Sequence, residues 1–104
     1  NGGNSINNYL VATDKQFADI KAAINGESYD EDRVKMAKVV LKEILLSAVQ
    51  IKTLLNLLSY DDNRLILAKY AYDYCNDKHA YGLVANALSY SSNKKNLLDY
   101  IATK

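Results

Sequence analysis

The chain has no proline and no tryptophan, and only one cysteine, one histidine and one methionine among 104 residues. Without proline, nothing forbids a helix from continuing. Two of the four glycines, Gly2 and Gly3, fall in the first three residues, so the rest of the chain is hardly interrupted. The lone cysteine, Cys75, excludes an internal disulfide and leaves the redox compartment open. The lone histidine, His79, has no second His or Cys nearby, so no zinc site follows from spacing. Neither sign of charge dominates: 13 basic and 12 acidic side chains give a net charge of +1, which is no footprint for nucleic acid or an anionic membrane. No apolar run approaches the roughly 18 residues of a membrane span. No signal-peptide pattern opens these residues, which can be a piece of a longer chain. A glycine-rich phosphate loop, a nucleophile elbow and a Cys–His pattern are all missing.

What is present is a repeat. Ser28-Tyr29-Asp30-Glu31-Asp32-Arg33, Ser59-Tyr60-Asp61-Asp62-Asn63-Arg64 and Ser89-Tyr90-Ser91-Ser92-Asn93-Lys94 share one pattern, spaced by 59 − 28 = 31 and 89 − 59 = 30 residues. A fixed period of that size signals stacked supersecondary units, none able to bury its apolar face alone. With 49% apolar and 24% charged residues, the composition is that of a globular chain with one core.

The hexad reads as a helix start. Asp30, Asp61 and Ser91 are expected as N-caps, each contributing about 1 kcal/mol. The tyrosine before each cap then packs on the fourth helical residue as a hydrophobic staple: Tyr29 on Val34, Tyr60 on Leu65 and, less well, Tyr90 on the stem of Lys95. Arg33, Arg64 and Lys94 stand in the first turn, where the helix dipole disfavours positive charge by a few tenths of a kcal/mol. Each is therefore expected to reach back to carbonyls at the end of a preceding helix or to a neighbouring acid; the rival reading is a contact with an anion or a partner.

The chain divides into an Asn/Gly-rich flexible arm, residues 1–12, pinned at most by Tyr9, Leu10 and Val11, and one helical repeat domain, residues 13–104. Thr13 with Gln16 forms a capping box, and Phe17, Ile20 and Ile24 give the first helix its stripe before Asn25-Gly26 ends it. The second helix buries Val34, Ala37, Leu41 and Ile44. Ser47 with Gln50 is a second capping box, followed by Ile51, Leu54, Leu55 and Leu58. The fourth helix carries Leu65, Ala68, Tyr72 and Cys75 on one stripe and Ile66, Tyr70 and Tyr74 on another, which places it in the middle of the fold. Asp77 is expected to cap a fifth helix bearing Tyr81, Val84, Ala85 and Leu88, and the sixth buries Leu97, Leu98 and Ile101. The fold class is all-α: six helices as three stacked hairpins of about 30 residues each. Cys75 on the apolar register is expected as a buried, inert hydrophobe.

Phe17 and Ile20, Ser28-Tyr29-Asp30 with Ala37-Lys38, Ser47-x-x-Gln50, and Leu58-Ser59-Tyr60-Asp61 with Arg64-Leu65-x-x-Ala68-Lys69-x-Ala71-Tyr72 and Asp77 are together similar to the domain of unknown function 4476 family. The resemblance covers about Asp14 to Thr103, and its most telling part is the segment from Ser59 to Tyr72. It implies a small helical domain, often the C-terminal part of exported proteins of Bacteroidetes-type bacteria, in the periplasm or cell envelope. It carries no catalytic residues over. Tyrosine stands here where phenylalanine is commoner before the helix start.

Other chemistry weighs lightly. The acids after Asp30 suggest a calcium loop, but the sixth position from Asp30 is Lys35 and the twelfth is Leu41, where an EF-hand needs Gly and Glu. His79, near a helix start, reads as an exposed polar residue and not a general base. No pair of carboxylates falls in a cleft. The leading expectation is thus a non-catalytic module, monomeric, without cofactor, metal, nucleic acid or membrane insertion, that binds another protein or a peptide. Its surface would include Tyr70, Tyr74, Arg64 and Tyr100, the last being the repeat equivalent of Tyr70 (100 − 70 = 30). The bland reading of these tyrosines is packing against the arm or a neighbouring repeat. The alternative function is a small-molecule or glycan binder, or weak enzyme, with a pocket beside the central helix near Tyr74, His79 and Tyr81; a third is a purely structural envelope domain.

Overall fold

The computed structural model describes residues 10–104; the expectation for Tyr9 lies outside them. The chain begins with a two-residue strand β1 (Leu10–Val11) and continues through α1 (Asp14–Asn25), α2 (Asp30–Leu41), β2 (Ile44–Leu45), α3 (Ala48–Leu55) and α4 (Asp61–Ala71). Two single-turn 3₁₀ segments, Tyr72–Tyr74 and Lys78–Ala80, lead to the short α5 (Gly82–Ala85) and then α6 (Ser91–Ala102). Both capping boxes form: Thr13 Oγ1 accepts from the Gln16 amide while Gln16 Oε1 accepts from Thr13, and Ser47 and Gln50 do the same at α3. Two otherwise orphaned donors are satisfied at each of those helix starts.

The fold is all-α, with α2, α4 and α6 packed side by side in that order, and α1 on α2, α3 on α4 and α5, and α5 on α6. Helix α4 is central, between α2 and α6 with α3 against it, and ends at Ala71, so that Tyr72, Tyr74 and Cys75 of its expected stripes lie beyond it. Its inner residues Leu65, Leu67, Ala68 and Ala71 are buried, as are Val34, Ala37 and Leu41 of α2. Ile51, Leu54, Leu55 and Leu58 meet Tyr81, Val84, Ala85 and Leu88 in the same core, all expected from their shared register. Cys75 is buried, and burial pushes its thiol up to about 11, so it stays protonated and inert near neutral pH.

At the start of the described residues the chain is pinned at Leu10 and Val11, which pair in parallel with Ile44 and Leu45, and the Ala12 amide donates to Leu45 O; three local expectations give way. That ladder, continued by a bridge between Leu46 and Cys75, stops α2 at Leu41 and takes Ile44 off the helix. The fifth helix shrinks to a 3₁₀ turn and one α-turn. Asp77 makes no cap bond there; its carboxylate instead accepts from the Ala48 amide at 2.7 Å, at the start of α3. On α4 and α6, Ile66 and Leu98 face solvent, because each helix is already flanked on its other faces by its neighbours.

The hexads hold the repeats together by a bond that crosses from each copy to the next. Each of these helices starts at the residue after the tyrosine, so Tyr29, Tyr60 and Tyr90 are the N-cap residues, in extended conformation and without a side-chain cap bond. Asp30 is thereby the first helical residue and not a cap, and so is Asp61. Their carboxylates point ahead to the following hexad. Asp30 accepts from the Ser59 amide at 3.0 Å, the Tyr60 amide at 2.8 Å and Asn63 Nδ2 at 3.3 Å. Asp61 repeats the set with Ser89 at 2.6 Å, Tyr90 at 3.2 Å and Asn93 Nδ2 at 2.8 Å. A cap on its own helix would satisfy one donor; reaching across satisfies three, with the strength of charge-assisted bonds.

The three copies are not identical at the positions that make this bond: Ser91 stands in the third where the first two have aspartate, and Asp32 stands in the first where the other two have asparagine. The first-turn arginines take the reading in which they reach helix-end carbonyls. Arg33 donates to Glu27 O at 2.8 Å and Leu57 O at 2.6 Å, and Arg64 to Leu58 O at 2.7 Å and Leu55 O at 3.2 Å. Both thus serve the C-terminal end of α3, which favours cations.

Burial raises the Asp30 and Asp61 carboxyls, but hydrogen bonds from Ser59, Tyr60 and Asn63 to the first, and from Ser89, Asn93 and Tyr90 to the second, outweigh it. With Arg33 and Arg64 nearby, both end below the usual carboxylate value of 3.8. Carboxyls depressed by folding contribute stability above the unfolded value and lose it as pH falls through the folded one. Urea unfolding is expected to give constant stability from neutral pH to about pH 5 and a decline through and below 3.8. Asp61→Asn is expected to cost about 2–3 kcal/mol at pH 7 and to make the acid decline shallower; an unchanged acid limb would contradict the assignment.

Candidate functional site

Because the tyrosine of each hexad is the N-cap, the residue before it is serine and the fourth helical residue is Arg33, Arg64 or Lys94, so no apolar pair exists to form a staple. The expected packing of Tyr29, Tyr60 and Tyr90 is therefore overturned. They are 70%, 67% and 61% exposed. Since α2, α4 and α6 lie side by side and each hexad is bonded to the next, the three rings stand in a row along one edge of the fold. The backbone beneath each ring of the second and third copies is fixed by the carboxylate that receives its amide.

Between the first two copies this edge opens into a groove of about 700 Å³, bordered by Ser28, Tyr29, Glu31, Ser59, Tyr60 and Asp62. Glu31 and Asp62 are exposed, with Asp62 Oδ1 accepting from Asn93 Nδ2 at 3.1 Å, whereas Asp30 spends its oxygens on amides. The two arginines nearest in sequence have turned their guanidiniums to carbonyls, so no basic side chain borders the groove. The arrangement offers aromatic faces, hydroxyls and carboxylates on a rigid backbone. Among the described residues no group of three His, Cys, Asp or Glu side chains could hold a metal ion.

The residues that the sequence singled out lie elsewhere. Tyr70 is half-buried, stacks on Tyr74 with centroids 5.3 Å apart, donates to Lys38 O at 3.2 Å and carries Lys38 Nζ 5.3 Å above its ring. A hydrogen bond with Tyr70 raises the Tyr74 hydroxyl above the ordinary phenol value. Tyr100 repeats the pattern one copy later, with Lys69 Nζ 5.5 Å and Lys104 Nζ 4.9 Å from its centroid. Each of these cation–π contacts is worth about 0.5–1 kcal/mol at an exposed site. The structure thus joins Tyr70 with Tyr74, sets Tyr100 apart from them, and gives Arg64 to the end of α3. Lys38 on Tyr70 and Lys69 on Tyr100 join each repeat to the next.

Tyr100 also borders a shallow groove of about 540 Å³ with Lys69, Lys95 and Asp99. Lys95 and Asp99 already pair at 3.0 Å. Near the central helix, Tyr81 is 2% exposed, meets Tyr72 edge-on at 4.9 Å and donates its hydroxyl to Ala68 O. Burial holds that hydroxyl far above the ordinary phenol range, so it remains a donor. His79 is exposed.

Replacing Tyr29, Tyr60 and Tyr90 together by serine is expected to shift unfolding by no more than about 0.5 kcal/mol per site. Tyr81→Phe, which strands a buried acceptor, is expected to cost about 1 kcal/mol. Chemical denaturation followed by circular dichroism compares the two, and a collapse of the triple variant would mean that the exposed row is part of the core after all.

No helix among the described residues is long and apolar enough to cross a membrane. No curated protein and no solved structure matches the chain. A family model does match, over residues 11–101, which is nearly every residue from β1 to the last turn of α6. The chain therefore belongs to the family described as domain of unknown function DUF4476.

Proposed function

We propose that this domain is a non-catalytic module that binds a segment of another protein, and that it does so with the hexad edge. The observation that carries the reading is the row of Tyr29, Tyr60 and Tyr90, three rings well over half exposed in a chain that buries Tyr81 almost completely. Tyrosine offers large apolar area with a polar tip and little side-chain entropy to lose, which is why it is enriched where proteins meet. Isolated exposed apolar residues need no explanation, but a repeated aromatic edge does. The repeat places the rings at the pitch of packed helices, about 8–10 Å, which suits an extended ligand laid across the helix starts.

A reactive constellation is no part of this reading: the carboxylates that the fold gathers are engaged with backbone amides, and the one buried thiol is inert. The domain acts as a monomer in this proposal. The exported setting implied by the family resemblance is adopted as part of the proposal, with an envelope protein as the partner.

Peptides selected from a random phage library on the wild-type domain test the binding edge. They are expected to lose at least about tenfold in affinity for the Tyr29→Ser/Tyr60→Ser/Tyr90→Ser variant, while binding a Tyr70→Phe variant as well as wild type. Selected peptides that bind the triple variant undiminished would refute the proposed surface.

A further inference from the structure

We infer that the occupant of the groove is an extended segment carrying lysine or arginine, with its positive residues over the first two hexads; this rests on the binding reading above and adds the chemistry of the partner. Charge complementarity is the argument. The groove between the first two copies presents the exposed carboxylates of Glu31 and Asp62 beside Tyr29 and Tyr60, and no cation borders it. In a chain with 13 basic and 12 acidic side chains, that local imbalance is made by the fold. Arg33 and Arg64 occupy the same hexads as these acids, yet their guanidiniums are drawn to Leu57 O and Leu58 O. Asp62 Oδ1 accepts from Asn93 Nδ2 at 3.1 Å and the helix dipoles offset part of the charge of both acids, but each keeps its charge at an exposed site. A polyanion would therefore meet Glu31 and Asp62, whereas an ammonium or guanidinium gains a carboxylate and an aromatic face together.

The third copy sets a direction along the edge. There Ser91 and Ser92 replace the acids, and Lys94 replaces arginine, so the edge is acidic over the first two copies and not over the third. Packed helices stand about 8–10 Å apart, a distance that an extended chain covers in about three residues. The preferred segment therefore has basic residues three apart at one end and an uncharged residue where it meets Tyr90.

Fluorescence anisotropy with labelled nine-residue Gly-Ser peptides tests this on the intact domain. One peptide has lysine at the first and fourth positions, one has glutamine there and one glutamate. The lysine peptide is expected to bind at least about tenfold tighter than the other two and to weaken by about fivefold between 50 and 500 mM NaCl. Glu31→Gln/Asp62→Asn is expected to abolish the preference for lysine, and Asp73→Asn, an acid away from the edge, to leave it intact.

Three results would overturn the inference: no binding of the lysine peptide, equal binding of the glutamine peptide, or an undiminished lysine preference in the double variant. If phage-selected peptides still depend on the three tyrosines in any of these cases, the binding edge stands and only its charge preference falls. If they do not, both fall. A neutral glucose hexasaccharide that binds the edge more tightly than the lysine peptide would overturn it in favour of a glycan ligand.

Discussion

A carboxylate at the first position of one helix that satisfies the backbone amides at the start of the next is the constraint on which the rest of this fold depends. Asp30 and Asp61 each collect two amides and one asparagine side chain from the following copy. A helix start presents unsatisfied donors that must find partners. The usual solution is local and leaves each helix independent of its neighbours. Here the solution is intermolecular in spirit though intramolecular in fact: every copy needs the one before it, so α2, α4 and α6 are placed side by side and in register.

That bond also decides the fate of the tyrosines. Once the aspartate is the first helical residue, the tyrosine becomes the N-cap, with extended backbone and a side chain directed away from the core. Its ring is set on a backbone that the preceding carboxylate holds in the second and third copies. The same hexad therefore joins the repeats through its acid and its arginine, and leaves its aromatic residue for contact with something else. A second set of contacts, Lys38 on Tyr70 and Lys69 on Tyr100, ties the other half of the helices together. The two rows of tyrosine are thus different in kind: one is covered by the protein's own cations, and the other is open.

Much of this was legible in the sequence, and the exceptions have physical causes. The 30-residue period, the two capping boxes and the shared register of Ile51, Leu54, Leu55 and Leu58 with Tyr81, Val84, Ala85 and Leu88 all follow from local spacing, and the structure has them. What spacing could not supply was a bond to a residue 29 or 30 positions away. A shift of one residue in the helix start turned an apparent staple into an exposed row. The signal was available in the composition of the hexad: Tyr29, Tyr60 and Tyr90 sit among serine, acid and asparagine with no apolar neighbour to cover them. The exchange of Asn63 and Asn93 for Asp32, and of Asp30 and Asp61 for Ser91, was a further trace of a bond running from each copy to the next. The short fifth helix was missed because its register is helical although the bridge between Leu46 and Cys75 and the Asp77 bond to Ala48 hold that segment in a different path.

The most direct test of this account is amide hydrogen exchange by NMR at Ser59, Tyr60, Ser89 and Tyr90. Their side chains are exposed and they precede their helices, so amides with no acceptor there would exchange at nearly the rate of an open chain. The account predicts protection at all four, with Asp61→Asn releasing Ser89 and Tyr90 while Ser59 and Tyr60 stay protected. Rapid exchange at these amides in the native protein would contradict it.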